Sequence, residues 1–304
     1  MNQKIQPIAA PSTALGNIPF DVTLPADGKI GAEITNLNPR VLDERGANII
    51  KDLVYRYKLV VFRGQELNNQ EYIQFAKKIG TPQIYFQHNY HHPGHPEIFV
   101  SSNVPENGKK IGVAGTGRYW HTDCQFFDDP LPMTFVYPKQ LPNGRRETYY
   151  IDMERVNREL PPDLRQWIDG RRAIHEAKWR YKIQASDIDK SITEILLEFG
   201  KLTPPVTHPA VIEHPVTRAK SLYISEGFTV GIEGIQYEDA KAALQKLFKF
   251  IEREDHVHVH PWRGGDILLW DNRTLLHKAS STPPGQASVS YRIGVYDGLP
   301  FYVR

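Results

Sequence analysis

The chain has 304 residues, 40% apolar and 24% charged, enough to bury a substantial core and too apolar for a disordered chain. Lysine plus arginine number 37 and aspartate plus glutamate 35, a formal charge of +2, so no global field directs the chain to nucleic acid or an anionic membrane. One cysteine excludes a disulfide framework and a thiolate metal cluster within one chain, while 12 histidines leave imidazole and carboxylate as the available metal donors.

Residues 1–16 are small, polar and proline-containing, and are expected to form a flexible leader before a single domain over 17–304. They lack the continuous apolar stretch of a secretory signal, and no apolar run approaches the roughly 20 residues of a membrane span. The expectation is a soluble protein of the reducing cytoplasm. A first helix is predicted over 43–56, opened by Asp43 as N-cap, with Ile49, Ile50, Leu53 and Val54 at helical spacing. A second, over 69–79, puts Tyr72, Phe75, Ala76 and Ile79 on one face and places Gly80 as its C-terminal glycine. A third, over 238–252, repeats the pattern with Ala243, Leu244, Leu247 and Ile251. Short strands are predicted at 59–62, 97–102, 133–137, 147–151, 210–214, 221–225, 256–260, 266–270 and 290–296. Strands without regular βαβ alternation imply a mainly β sandwich or jelly roll with flanking helices.

Three features carry chemistry. In Tyr119-Trp120-His121-Thr122-Asp123, an extended strand would turn His121 and Asp123 to one face. The apolar run 266–270 enters a polar turn and reaches His277. His121, Asp123 and His277 would form a two-histidine, one-carboxylate face that leaves coordination positions open and suits Fe(II) that activates O₂. Arg292 can grip the far carboxylate of a 2-oxo diacid through paired hydrogen bonds, and Thr148 can donate its hydroxyl to the same group. Arg145 and Arg146 compete for one inward position, with Arg146 on the face of Thr148. Lys182 sits in an irregular stretch able to act as a lid, and Tyr85, Phe86 and Tyr90 offer apolar walls with hydroxyl tips at the tyrosines. The histidines at 88, 91, 92 and 95 match no metal spacing, but one of them is expected to line the pocket. His256, His258 and His260 alternate on an exposed edge, and Cys124 should be a small buried residue facing away from the site.

The series YWHTD, GRRET, GDILLWDNRTLLH and YRIGVYDG, in this order, resembles the taurine-dioxygenase family of Fe(II)/2-oxoglutarate oxygenases. That resemblance implies a double-stranded β-helix, cupin-like, with iron on His121, Asp123 and His277 and 2-oxoglutarate on Thr148 and Arg292. Tyr90-His91-His92, the segment 95–102 and Trp270-Asp271-Asn272-Arg273 are similar to the isonitrile-forming dioxygenases of bacterial isonitrile-lipopeptide biosynthesis. This closer resemblance implies conversion of a (3R)-3-[(carboxymethyl)amino] fatty acid to the (3R)-3-isocyanyl fatty acid. Arg146 would hold the glycine-derived carboxylate, and Lys182, Tyr85 and Tyr90 would line the substrate. The partner implied is a small molecule, neither nucleic acid nor membrane. Phe86 stands where the subgroup has a second tyrosine, and Ser281 where it has a histidine. Both positions are expected to face substrate, so these departures bear on acyl chain length and carboxylate recognition. The alternative is a sibling hydroxylase of another small carboxylated or sulfonated substrate.

Overall fold

Period-two alternation along the strands builds two facing sheets. The computed structural model describes residues 18–303 except 107 and 145, so the leader and Arg145 lie outside the described residues. The larger sheet runs in the order Asp21–Thr23, Ala32–Thr35, Leu59–Phe62, Ile267–Asp271, Met133–Gln140, Val289–Tyr296, His95–Ser102, His91–His92. Ala32–Thr35 and Leu59–Phe62 pair in parallel, and the other neighbours are antiparallel. The smaller sheet has Glu147–Asp152 between Val257–Pro261 and Leu275–Ala279. This is the jelly roll expected from the strand pattern.

Leu59 and Val61 point between the sheets and pack with Leu268, Trp270, Tyr150 and Leu275. Val60, Phe62, Phe135, Leu269 and Ile293 point outward into a second core. That core is closed by helix α1 (Glu44–Tyr57) and helix α2 (Asn69–Ile79) through Ile50, Leu53, Val54, Tyr72, Phe75 and Ile79. Asp43 caps α1 by accepting from the Gly46 amide, and Asn68 caps α2 within a reciprocal capping box with Glu71. Gly80 ends α2 for a different reason than predicted. Its φ of −174° is extended, and a Cβ there would lie 2.3 Å from the Tyr296 carbonyl oxygen, so close backbone approach demands glycine.

Three helices escape the sequence reading: α3 (Met153–Glu159), α4 (Pro162–Ile168) and α5 (Ile192–Leu202). The first two, at seven residues each, are too short to establish a period. Helix α5 does carry a local signal, the Ser191/Glu194 capping box. The third predicted helix is α6 (Tyr237–Ile251), which packs Leu244, Leu247 and Ile251 with Ile151 and Leu276 of the smaller sheet.

Val257–Pro261 is indeed an edge strand, but its histidines are not an exposed row. His256 sits in a 3-10 turn, buried against the Ile251 carbonyl (3.0 Å) and Glu159 (3.2 Å). His260 is buried 3.5 Å from Asp266. No described helix is long and apolar enough to cross a membrane.

Candidate metal centre

His121 and His277 are brought together by one narrow antiparallel bridge. His121 N–H donates to the His277 carbonyl (3.1 Å) and His277 N–H to the His121 carbonyl (2.8 Å). The segment is not the strand expected from His-x-Asp. The chain turns at once, with Cys124 left-handed at φ 56°, and that turn aims Asp123 back toward the histidines. His121 Nε2 is 3.7 Å from Asp123 Oδ1, His277 Nε2 is 3.9 Å from Oδ2, and the two rings are 4.1 Å apart. A close approach supports this corner: a Cβ on Gly227 would come within 2.7 Å of the Tyr119 ring and 3.0 Å of His121 Cβ.

The three ligand atoms lie within 4.8 Å of one another and all three residues are buried. His121 Nδ1–H donates to the Tyr119 carbonyl (2.8 Å), which fixes the tautomer with its lone pair on Nε2. Burial lowers the pKa of both imidazoles, so they are neutral near pH 7. Burial alone would raise Asp123, but Arg292, His277 and His121 outweigh it and hold the carboxyl at about 2. Two neutral imidazoles and an ionised carboxylate fit a divalent ion that accepts nitrogen and oxygen donors. Because the folded imidazoles titrate below the unfolded value of 6.5, the unfolded chain takes up protons first. Stability of the metal-free protein is therefore full above pH 6.5 and declines as the pH falls below it. Thermal unfolding of metal-free protein should show its midpoint nearly level from pH 7.5 to about 6.5 and dropping from there to pH 5.5, and a flat profile over the lower range would contradict buried neutral histidines.

The nine predicted residues Tyr85, Tyr90, His121, Asp123, Arg146, Thr148, Lys182, His277 and Arg292 all line one cavity of about 160 Å³ between the sheets. Arg292 donates through Nη1 to Asp123 Oδ1 (2.6 Å) and lies over the Phe99 ring, 4.2 Å from its centroid. Its guanidinium thus pairs with the Asp123 carboxylate besides facing the cavity. Thr148 accepts from the Trp262 indole (2.9 Å). Arg146 reaches the carbonyl and hydroxyl of Ser280.

Other expectations fail on contact. None of His88, His91, His92 and His95 borders this cavity: His91 Nε2 meets the Tyr85 carbonyl (2.6 Å), and His92 meets Asn69 (3.2 Å). Phe86 and Ser281 do not border it either. Phe86 packs with Phe127 and Phe199 behind Tyr85, and Ser281 is exposed. Cys124 is buried as expected, yet it lines the cavity because the turn reverses its side chain. A second cluster, Glu159, Asp255 and His256, has its carboxylates already paired with Arg155 (2.7 Å) and Arg253 (2.9 Å). Sequence reasoning missed Thr134, which touches Asp123, and Arg180, which lines the cavity beside Lys182. Arg180 has a faint signal in the basic WRYK run, and Thr134 has none.

The model of the taurine catabolism dioxygenase TauD, TfdA family matches residues 22–293. The chain is similar to an alpha-ketoglutarate-dependent sulfate ester dioxygenase of Pseudomonas putida, 27% identical over 96% of this chain and 94% of that one. An alkylsulfatase of Acinetobacter baylyi is 28% identical over 88% and 82% of the two chains. The crystal structure of a taurine dioxygenase from Burkholderia xenovorans superposes with a TM-score of 0.73 at 24% identity, covering 91% of this chain and 89% of that one.

Proposed function

The chain belongs to the TauD, TfdA family and is an Fe(II)- and 2-oxoglutarate-dependent dioxygenase; from that premise we propose that it converts a (3R)-3-[(carboxymethyl)amino] fatty acid to the (3R)-3-isocyanyl fatty acid. In this reading His121, Asp123 and His277 hold the iron, and Thr148 and Arg292 hold 2-oxoglutarate. Arg146 takes the glycine-derived carboxylate, and Lys182, Tyr85 and Tyr90 line the rest of the substrate. Bound Fe(II), with 2-oxoglutarate and O₂, supplies the oxidising power; the protein supplies orientation and a water-poor cavity.

The observation that carries the reading is the charge of the cavity. Among the described residues its lining has four cations, Arg146, Arg180, Lys182 and Arg292, against one carboxylate, Asp123. Arg292 pairs with Asp123, and Arg180 approaches Glu226 at 3.7 Å. Arg146 and Lys182 have no carboxylate partner among the described residues. Burial disfavours the Arg146 charge, so an anion there would relieve it. A substrate with two carboxylates beyond those of the cosubstrate suits this surplus. Phe126, Phe199 and Phe228 form an apolar side of the same cavity, suited to an acyl chain.

Electron balance makes the proposal testable. Converting N–CH₂–COOH to N≡C with loss of CO₂ removes four electrons and four protons. Each 2-oxoglutarate and O₂ consumed removes two, leaving succinate, CO₂ and water. Incubation with N-carboxymethyl-3-amino fatty acids of graded length should therefore give two succinates per isonitrile, with a product lighter by CO₂ and four hydrogens. A product with one added oxygen and a one-to-one ratio would instead establish the sibling hydroxylase, the reading favoured by the sulfate-ester relatives.

A further inference from the structure

Asp123 is held on both oxygens. Arg292 sits on Oδ1, and the Thr134 hydroxyl donates to Oδ2 (2.7 Å). Thr134 has one proton, so its direction depends on what else reaches the hydroxyl. Asn272 does, with Nδ2 2.9 Å from Thr134 Oγ1. The other end of the carboxamide, Asn272 Oδ1, accepts from Trp270 Nε1 (2.8 Å).

These bonds have a forced direction. An indole N–H only donates, so the end of Asn272 that meets Trp270 must be oxygen. Its NH₂ end therefore faces Thr134 and must donate there. Thr134 accepts that bond, and its single proton is left for Asp123. All members are sequestered: Thr134 is fully buried, and Asn272 and Trp270 are 1% and 2% exposed. The backbone holds the relay rigid. Thr134 and Trp270 are direct partners across neighbouring strands, Asn272 N–H donates to the Pro132 carbonyl (2.8 Å), and the Asn272 carbonyl accepts from Thr122 Oγ1 (2.8 Å).

We propose that Trp270, Asn272 and Thr134 form a one-way hydrogen-bond relay that positions Asp123, holding its carboxylate through Oδ2 in the orientation that faces His121 and His277. The inference rests on His121, Asp123 and His277 holding a divalent ion. Thr134, Asn272 and Trp270 act here as positioning residues through Asp123.

The test measures metal affinity without turnover, by competition for Co(II) against a fluorescent chelator at pH 7.5. Thr134→Val keeps the shape and removes the proton; it should weaken binding by about 10- to 100-fold, the usual cost of losing an outer partner of a ligand. Thr134→Ser keeps the hydroxyl and should bind within about threefold of the parent chain. A merely structural role would lower the unfolding temperature of Thr134→Val without moving Co(II) affinity in the folded protein. Should Thr134→Val not fold, Asn272→Leu keeps the approximate volume and removes the NH₂ that donates to Thr134, and it should weaken binding several-fold. Unchanged affinity in whichever of these variants folds, beside lost binding in Asp123→Ala, overturns the relay while leaving the triad intact. Unchanged affinity in Asp123→Ala as well overturns the triad itself.

Discussion

Asp123→Ala should lower turnover roughly a thousandfold or more, the scale on which a member of a catalytic set acts, and should weaken divalent-metal binding by more than about 100-fold, beyond the loss of an outer partner. The reason is charge. Among the described residues Asp123 is the one carboxylate lining the cavity, and the two imidazoles beside it are neutral. Removing it leaves the Arg292 guanidinium, now 2.6 Å from Oδ1, as the nearest formal charge facing a dication. Attraction becomes repulsion in a site with little water to screen it. Anaerobic Fe(II) titration with 2-oxoglutarate reports the outcome directly. The native protein should develop the visible charge-transfer band of the chelate, and the variant should not. Survival of the band at native iron concentration would sink the assignment of Asp123. The variant also strands a buried arginine, which costs about 3–5 kcal/mol when its partner is lost. Asp123→Asn, which retains an oxygen acceptor for Arg292, therefore belongs beside it. It should show the same loss of the band with a smaller loss of stability.

The sequence was most legible where the signal is local. Asp43 and Asn68 cap helices whose apolar spacing is regular, and α1 and α2 lie within a residue or so of their predicted ends. Strands such as Leu59–Phe62 declare themselves by a bounded apolar run. The triad was legible for a reason that proved partly incorrect. Residues i and i+2 were expected to share a strand face, whereas a single bridge followed by a left-handed turn does the aiming. The outcome agreed because the spacing is short enough for either geometry.

What stayed hidden depends on register. Thr134 reads as an ordinary strand residue until it is paired with Trp270 across the sheet, and its role exists only through that pairing. One of the histidines at 88, 91, 92 and 95 was expected to line the pocket, but side-chain direction across a 3-10 turn and the strands that follow it cannot be read from spacing. Asp297 lies five residues beyond Arg292 in the sequence. The structure gives it to Arg273 instead and gives Arg292 to Asp123, which lies 169 residues away in sequence. A choice between two arginines for one carboxylate is a matter of tertiary geometry, and neither composition nor periodicity bears on it.

Arg273→Met should destabilise the metal-free protein by about 3–5 kcal/mol, the cost of breaking a buried ion pair from one side. The Arg273 side chain is wholly buried in the turn between Ile267–Asp271 and Leu275–Ala279, four residues before His277. Its guanidinium grips both oxygens of Asp297 (2.9 and 3.0 Å) and donates to the carbonyls of Phe301 (2.9 Å) and Pro300 (3.2 Å). Asp271 lies 3.6 Å from it and also accepts from His214 (2.8 Å). Methionine fills much of the same space but leaves two buried carboxylates without their shared cation. Burial pushes the Asp271 carboxyl upward; Arg273 and His214 outweigh it and hold it below the ordinary range. That depressed group contributes stability above the unfolded value of 3.8, and the contribution is lost as pH falls below it. In the variant the Asp271 carboxylate takes up a proton more readily, so the deficit should be largest at pH 7 and shrink toward pH 4. Urea unfolding at both values measures it, and a deficit under about 1 kcal/mol at pH 7 would remove the network from the list of major stabilising contacts. Domains of this kind are stable by only about 5–15 kcal/mol, so the expected loss is about 30–50% of the total at the middle of that range. The same turn leads into the His277 strand, so a population of molecules with the turn released is also a population without a metal site. Weakened Co(II) binding in Arg273→Met should accordingly track the fraction unfolded, whereas in Thr134→Val it should persist in fully folded protein.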